Sequence, residues 1–392
     1  MKITIFTALY NRKELLPRIY DSLKKQDRYD FEWLIVDDGS TDSPEELILP
    51  WIEQTDSFPI RFFQKENGGK HTATNLALET AAGDFFLFLD SDDYLTDHAV
   101  SLILKWINAL PADSDQKKIL GVSGQKINSE GAYLLWQTTT DGRQIPYGGF
   151  PSFDDTLTCT IAERSGRYHM RGDCCEIFRT TVLKQYPFPV FQGERFLAED
   201  AVYSLLSRDD WKIEYHKDPL EVCDYQQQGL SFDVEKFIRN PKGWGYVIRV
   251  MECSRQERDE REFDYYQRLH ENLSWQEICE NLGITDEEDF RERLFTKCEK
   301  KRRQLPDLKE ALTVYDNIQK QLETVPKNSE RYHTISGILE EVTRLLSALD
   351  TEICVTAAIE SIDAARKQAE LKSNRLAILQ KKLSAASPGI LL

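Results

Sequence analysis

Five apolar residues in a row, Phe85 to Leu89, run directly into Asp90-Ser91-Asp92-Asp93. A short unbroken apolar run closed by a polar cluster predicts a strand covered on both faces, the usual state of a central parallel strand. Lys2 to Thr7, Trp33 to Val36 and Ile60 to Phe63 have the same character. Between them, Leu15, Leu16, Ile19 and Leu23 fall at helical spacing, with Pro17 tolerable only in the first turn. An Ala-rich segment predicts a helix from about Thr72 to Ala82, closed by Gly83. This alternation predicts an α/β domain, a mostly parallel sheet with helices on both faces joined by right-handed crossovers. Two acidic loops, one after Val36 and one after Leu89, then lie at the same sheet edge, outside the carboxyl ends of the strands where such folds bind ligands.

Further along, Val100, Ile103, Leu104 and Ile107 predict a helix from about Thr96 to Ala109. Ile119 to Val122 and Tyr133 to Trp136 read as strands, and Gly142 to Phe153 as a loop rich in Gly, Pro and aromatics. The run Gly172-Asp173-Cys174-Cys175-Glu176 precedes a short strand and a helix near Thr180 to Gln185. Glu199 and Asp200 open a helix ending near Ser207. From about Asp259 the pattern becomes purely helical. Leu305, Leu308, Leu312, Tyr315, Leu322 and Val325 follow a coiled-coil spacing, and after a break at Pro326-Lys327-Asn328-Ser329 a second helix carries Ile335, Leu339, Val342, Leu346, Leu349 and Ile353. Residues 1–258 therefore read as one α/β domain and 259–392 as an all-α, coiled-coil-like region for assembly or docking, through self-association or a protein partner.

Composition narrows the classes. The 66 acidic against 50 basic residues give a net charge of -16, which disfavours binding to nucleic acid as a whole-chain property. No apolar run approaches the length of a membrane span, and the start reads as a strand rather than a signal peptide. Eight cysteines without a CxxC pair signal neither a zinc site nor a disulfide framework, which fits a cytoplasmic protein or one peripheral at the inner face of a membrane.

The candidate chemistry is acidic. Crowded carboxylates repel one another unless a cation sits among them, and hard oxygen ligands favour Mg2+ or Mn2+, which take one or two carboxylates plus substrate phosphates. Asp90-Ser91-Asp92 is thus a candidate diphosphate-metal site. On that segment alone the alternative is an acidic turn in which Asp93 or Asp97 caps the next helix. Likewise Glu199 and Asp200 are on their own as well explained by capping at a helix start.

Five segments in order carry a resemblance: Thr7-Ala8-Leu9-Tyr10-Asn11-Arg12, Val36-Asp37-Asp38-Gly39-Ser40-Thr41-Asp42, Asn67-Gly68-Gly69-Lys70, Asp90-Ser91-Asp92-Asp93 and Glu199-Asp200. Together they resemble bacterial family 2 glycosyltransferases of the GT-A, nucleotide-diphospho-sugar fold over some 225 residues, and Asn240-Pro241-Lys242-Gly243-Trp244 extends the likeness to about residue 250. The resemblance implies a Rossmann-like sheet and transfer of one sugar from a nucleotide-diphosphate donor, UDP-linked, to a hydroxyl on a glycan, a lipid-linked sugar or a protein. It implies that Thr7, Tyr10 and Arg12 meet the base and ribose, that Asp37 or Asp38 accepts from uracil or ribose, and that Asn67 and Lys70 flank the base and diphosphate. By the same likeness Asp90 with Ser91 contacts the ribose or a metal-bound water, Asp92 with Asp90 holds the metal, and Asp173 meets the donor sugar. A general base is expected in the Glu199-Asp200 pair, one member acting as base and the other orienting the acceptor, with inversion at the anomeric centre. Thr74 stands before Asn75 where many members have Arg, which leaves Lys70 or Arg12 as the cation for the phosphates. No QxxRW segment occurs, which argues against a processive polysaccharide synthase. The contrasting reading is a catalytically weak scaffold acting through its helical C-terminal region.

Overall fold

The computed structural model describes residues 2–111, 116–138, 144–146, 156–168, 171–223, 233 and 235–303. The chain divides into two compact units, one ending at Cys253 and the other beginning at Ser254.

In the first unit strand and helix alternate from the start: β1 (Ile3–Leu9), a 3-10 turn and α1 (Leu16–Lys24), β2 (Phe31–Asp37), α2 (Glu45–Gln54), β3 (Ile60–Gln64), α3 (Lys70–Thr80) and β4 (Phe85–Phe88). The Ala-rich helix starts two residues earlier than its sequence pattern predicts, because Gly69 at φ +92° turns the chain and lets Lys70 open it. There follow β5 (Asp93–Leu95), α4 (Ala99–Ala109), β6 (Ile119–Ile127), β7 (Leu135–Thr138), β8 (Gln144–Pro146), β9 (Thr156–Cys159), α5 (Ile161–Gly166), β10 (Arg171–Gly172), β11 (Cys174–Arg179), α6 (Thr180–Leu183), α7 (Asp200–Arg208), β12 (Lys212–Cys223) and α8 (Pro241–Val250).

Among the described residues the main sheet runs β3-β2-β1-β4-β11-β6-β12-β5, with β9 added on β12. The pairs β1 with β2, β1 with β4, β2 with β3 and β6 with β12 are parallel. The sheet is nevertheless mixed: β11 is antiparallel to both β4 and β6, and β5 and β9 are antiparallel to β12. Periodicity detects a buried strand but not its direction, and direction is set by which connection returns the chain. A small antiparallel ribbon, β10-β7-β8, lies apart from this sheet.

Alternation along the strands feeds two cores. Ile3, Ile5, Trp33, Ile35, Leu87 and Ile177 meet Leu16, Ile19 and Leu23 of α1, Ile48 of α2 and Val100, Ile103 and Leu104 of α4. Phe6, Leu34, Val36, Phe86 and Phe178 meet Ala73 and Ala77 of α3, Ala201, Val202 and Leu206 of α7 and Val247 of α8. Helices thus cover both faces, which is why the central strands read as unbroken apolar runs. Since β2 and β3 lie to one side of β1 and β4 to the other, strand order reverses between β1 and β4. That reversal opens a crevice at their carboxyl ends.

The second unit begins with three described helices, α9 (Arg255–Leu269), α10 (Trp275–Leu282) and α11 (Glu287–Arg303). Ser254-Glu257 and Ser274-Glu277 form capping boxes, and Gly283 closes α10 in the left-handed conformation. Phe263, Tyr266, Ile278, Leu282 and Phe290 are buried, and Arg293 binds Asp259 and Glu262 at 2.7 and 2.6 Å. The coiled-coil positions expected from Leu305 onward, and most of Gly142 to Phe153, lie outside the described residues.

Candidate active site

The crevice between β1 and β4 collects charge from every strand that ends there. Beyond β1, Arg12 reaches Asp92 at 2.9 Å and Ser91 Oγ at 3.3 Å, and Arg18 donates to the Asp92 carbonyl. Beyond β4, Asp90 meets Lys70 at 2.6 Å, and the same ammonium lies 2.9 Å from Glu199. One lysine at the first position of α3 therefore joins the strand tip to the residue that leads into α7. Burial works against the Lys70 charge, but Asp90 and Glu199 outweigh it and hold the ammonium above its ordinary range. Burial would likewise raise Asp90, yet Lys70, Lys126 and Arg12 bring its carboxyl down to about 2. At Asp92 burial wins over Arg12, and the carboxyl sits above its usual value.

Three expected contacts change. Thr7 does not face the crevice: its side chain is fully buried in β1, on the same face as Ile3 and Ile5, and accepts a hydrogen bond from Trp33 Nε1 at 3.1 Å. Strand alternation sends it into the core. Asp38 is buried, and its oxygens accept from Lys65 Nζ (2.6 Å), Gly68 N (3.0 Å), Asn67 Nδ2 (3.1 Å) and Gly69 N (2.7 Å). A carboxylate offers about four lone-pair sites, so the four donors engage Asp38 in shaping the loop before α3. Asn67 Nδ2 belongs to the same knot and also donates to the Asp38 carbonyl at 2.8 Å. Asp37 is also buried and receives Ser40 N at 3.0 Å, turning the chain after β2. Tyr10 stands nearly half exposed at the edge of β1. Asp173 is exposed between β10 and β11, and Asp200 is exposed at the start of α7. His71 next to Lys70 is buried rather than turned outward.

Behind Asp90 lies a group that no motif announces. Lys126 at the end of β6 binds Asp93 at 3.1 Å and Glu221 at 2.7 Å, all three nearly excluded from water. Glu176 of β11 stands among the charges of Arg164, Lys126 and Asp173, and burial lifts its carboxyl to about 7. Lone charged residues in apolar strands carry no spacing signal, so pairing in three dimensions is what reveals them.

Among the described residues no group of three or more His, Cys, Asp or Glu side chains forms a metal cage. Asp90 and Asp92 supply hard carboxylate oxygens, and two such ligands suffice for an Mg2+ or Mn2+ ion whose remaining positions go to water and phosphate. The donor set thus fits the expected ion. No helix of the described residues is long and apolar enough to cross a membrane.

Residues 4–169 match the sequence profile of Glycosyl transferase family 2. Poly(ribitol-phosphate) beta-N-acetylglucosaminyltransferase TarS of Staphylococcus aureus strain MW2 is 30% identical over 207 residues, 52% of this chain and 32% of that protein. The teichoic acid poly(glycerol phosphate) polymerase of Staphylococcus epidermidis is 39% identical over 108 residues, 27% of this chain and 15% of its own. The chain thus spans less than a third of the length of these relatives. Among solved structures, S. aureus TarS 1-349 in complex with UDP-GlcNAc aligns over 76% of this chain and 81% of its own, at 19% identity and a TM-score of 0.48. Residues 4–169, which include four of the five motifs, are thus similar to glycosyl transferase family 2.

Proposed function

We propose that this chain is an inverting, non-processive glycosyltransferase that moves a single hexosyl or hexosaminyl unit from a UDP-linked donor to a hydroxyl acceptor, with residues 1–258 as its catalytic part. The observation that carries this reading is the Lys70 bridge, which brings the acidic tip of β4 and Glu199, the residue before Asp200, to one cation. Tyr10 at the crevice edge offers a stacking face to the base. Lys70 heads α3, whose positive N-terminal end adds to the attraction for a diphosphate. Arg12 stands ready on the other side of the acidic loop. Asp92 with Asp90 would hold Mn2+ or Mg2+, and the ion would supply positive charge to the diphosphate as it leaves. Asp173, exposed between β10 and β11, would meet donor hydroxyls.

The two carboxylates at α7 divide the work. Glu199 is tied to Lys70 and through it to Asp90, so it fixes geometry. Asp200 is exposed at the helix start, where an acceptor hydroxyl can reach it, and acts as the base. The names of relatives that modify poly(ribitol-phosphate) support an acceptor hydroxyl on a polyol-phosphate or glycan chain. The helical region from residue 259 serves assembly or docking.

The test is release of UDP from UDP-N-acetylglucosamine and UDP-glucose by the full chain with Mn2+, which needs no acceptor. Mn2+-dependent turnover that Asp200→Asn lowers by about 10²-fold or more at unchanged donor affinity is expected. Wild-type rates in both Asp200→Asn and Glu199→Gln would exclude the pair.

A further inference from the structure

The segment that delivers Glu199 and Asp200, residues 187 to 199, has no regular secondary structure. A loop holds a reactive carboxylate in place only if something rigid fixes it. The fixing element is the start of α8. A helix exposes its first amides, and they are commonly capped by the residue just before it. Asn240 occupies that position, yet its side chain makes no such bond. Its Oδ1 accepts instead from Arg195 N at 2.8 Å and Phe196 N at 3.0 Å, while its Nδ2 donates to the Lys236 carbonyl at 2.6 Å. The vacated amides of α8 are capped by Glu194, which receives Lys242 N at 2.7 Å and Gly243 N at 2.8 Å. A carboxylate at the positive end of a helix gains from the dipole as well. The loop caps the helix, and the residue before the helix binds the loop.

Two glycines make the fit possible. A Cβ at Gly243 would stand 3.0 Å from the Phe196 carbonyl oxygen and 3.2 Å from Glu194 Oε2. On the opposite side, a Cβ at Gly69 would fall 1.9 Å from the Arg195 carbonyl oxygen. The segment is therefore held between the loop that opens on Lys70 and the first turn of α8. Asn240 is itself buried, so its exchange of bonds is not shared with water.

We infer that Asn240, Glu194 and Gly243 form a clamp that positions the Glu199-Asp200 carboxylates against the Lys70-Asp90 pair, making Asn240 and Glu194 positioning residues for the transfer step. This rests on the proposed role of the pair. The Asn240-Pro241-Lys242-Gly243 motif thereby gains a physical role: it sets where the base stands without touching donor or acceptor.

The test compares Asn240→Ala with Asn240→Asp, which keeps an oxygen acceptor for the two amides. UDP-N-acetylglucosamine hydrolysis with Mn2+ is measured alongside UDP binding and amide exchange at residues 195 and 196. Asn240→Ala should lower kcat by about tenfold to a hundredfold, as misplacement of a reacting group by around an ångström does, with UDP affinity within about twofold of wild type. It should also speed exchange at both amides, and Asn240→Asp should restore most of the rate. In an Asp200→Asn background, Asn240→Ala should cost little more, because residues acting through one group are non-additive. Unchanged kcat in Asn240→Ala, or kcat and UDP affinity falling in parallel, overturns the clamp. If Asp200→Asn and Glu199→Gln both turn over normally, the assigned base is what fails, and unchanged exchange at 195 and 196 in Asn240→Ala then rejects the clamp by itself.

Discussion

Asp90 and Glu199 share a single ammonium: Lys70 Nζ lies 2.6 Å from one carboxylate and 2.9 Å from the other. Two anions that would repel are held within one side chain's reach, one at the tip of β4 and one at the threshold of α7. A diphosphate entering the crevice competes with both for the same cation. On the proposed reading the bridge is a resting arrangement that substrate would rearrange, with the reaction centre between the two carboxylates.

Lys70→Met should leave the chain folded while lowering kcat/KM for the donor by about 10²-fold, since a cation near a developing charge is worth that much in a shielded crevice. Steady-state UDP release checks it. A variant within threefold of wild type would remove Lys70 from the donor site.

Asp92→Asn should abolish the stabilisation that Mn2+ and donor give together. At a ligand concentration about a hundred times Kd, wild type gains about 2.7 kcal/mol, seen as a rise in melting temperature. The variant should show no Mn2+-dependent rise, while its melting temperature without ligand stays near that of wild type.

Asp38→Ala should act on stability before it acts on chemistry. Removing a carboxylate that receives four donors strands Lys65 and two loop amides, and breaking a buried pair of this kind costs about 3 kcal/mol. Urea unfolding reads the loss. If Asp38→Ala were as stable as wild type but had lost UDP affinity, the carboxylate would be a nucleotide ligand after all.

Glu176 predicts a pH dependence. Burial raises its carboxyl from 4.5 to about 7, so the folded state holds a proton there that the unfolded chain has released. Stability from this group is complete below about pH 4.5 and falls as pH rises through 7. Glu176→Gln should therefore gain about 1–3 kcal/mol relative to wild type at pH 8 and nothing at pH 4, measured by urea unfolding at both values. An equal difference at the two pH values would contradict the shift.

The α/β architecture, the carboxyl-end crevice and the acidic tip of β4 were legible in the chain because each is a local pattern. Apolar runs that end in carboxylates need only a sheet around them to become a site. Tyr10, Arg12, Lys70, Asp90, Ser91 and Asp92 gather at one edge for that reason. Thr7 was misplaced because alternation within a fully buried strand cannot be phased when both faces are apolar, so its neighbours do not show which way it points. The loop that Asp38 and Asn67 hold was not legible, because a loop-forming carboxylate and a ligand-binding one have the same sequence appearance.

What the sequence alone determined was the order of elements and the identity of the charged residues at their ends, since hydrophobic periodicity and the chemistry of side chains are properties of short segments. What only the tertiary structure decided was pairing: the antiparallel β11, Lys70 between Asp90 and Glu199, Lys126 beneath the acidic loop, and Asn240 gripping residues 195 and 196. Those partners are distant in the chain. Their energies depend on ångström separations and exclusion of water, which come into being only when the sheet and its helices close around them.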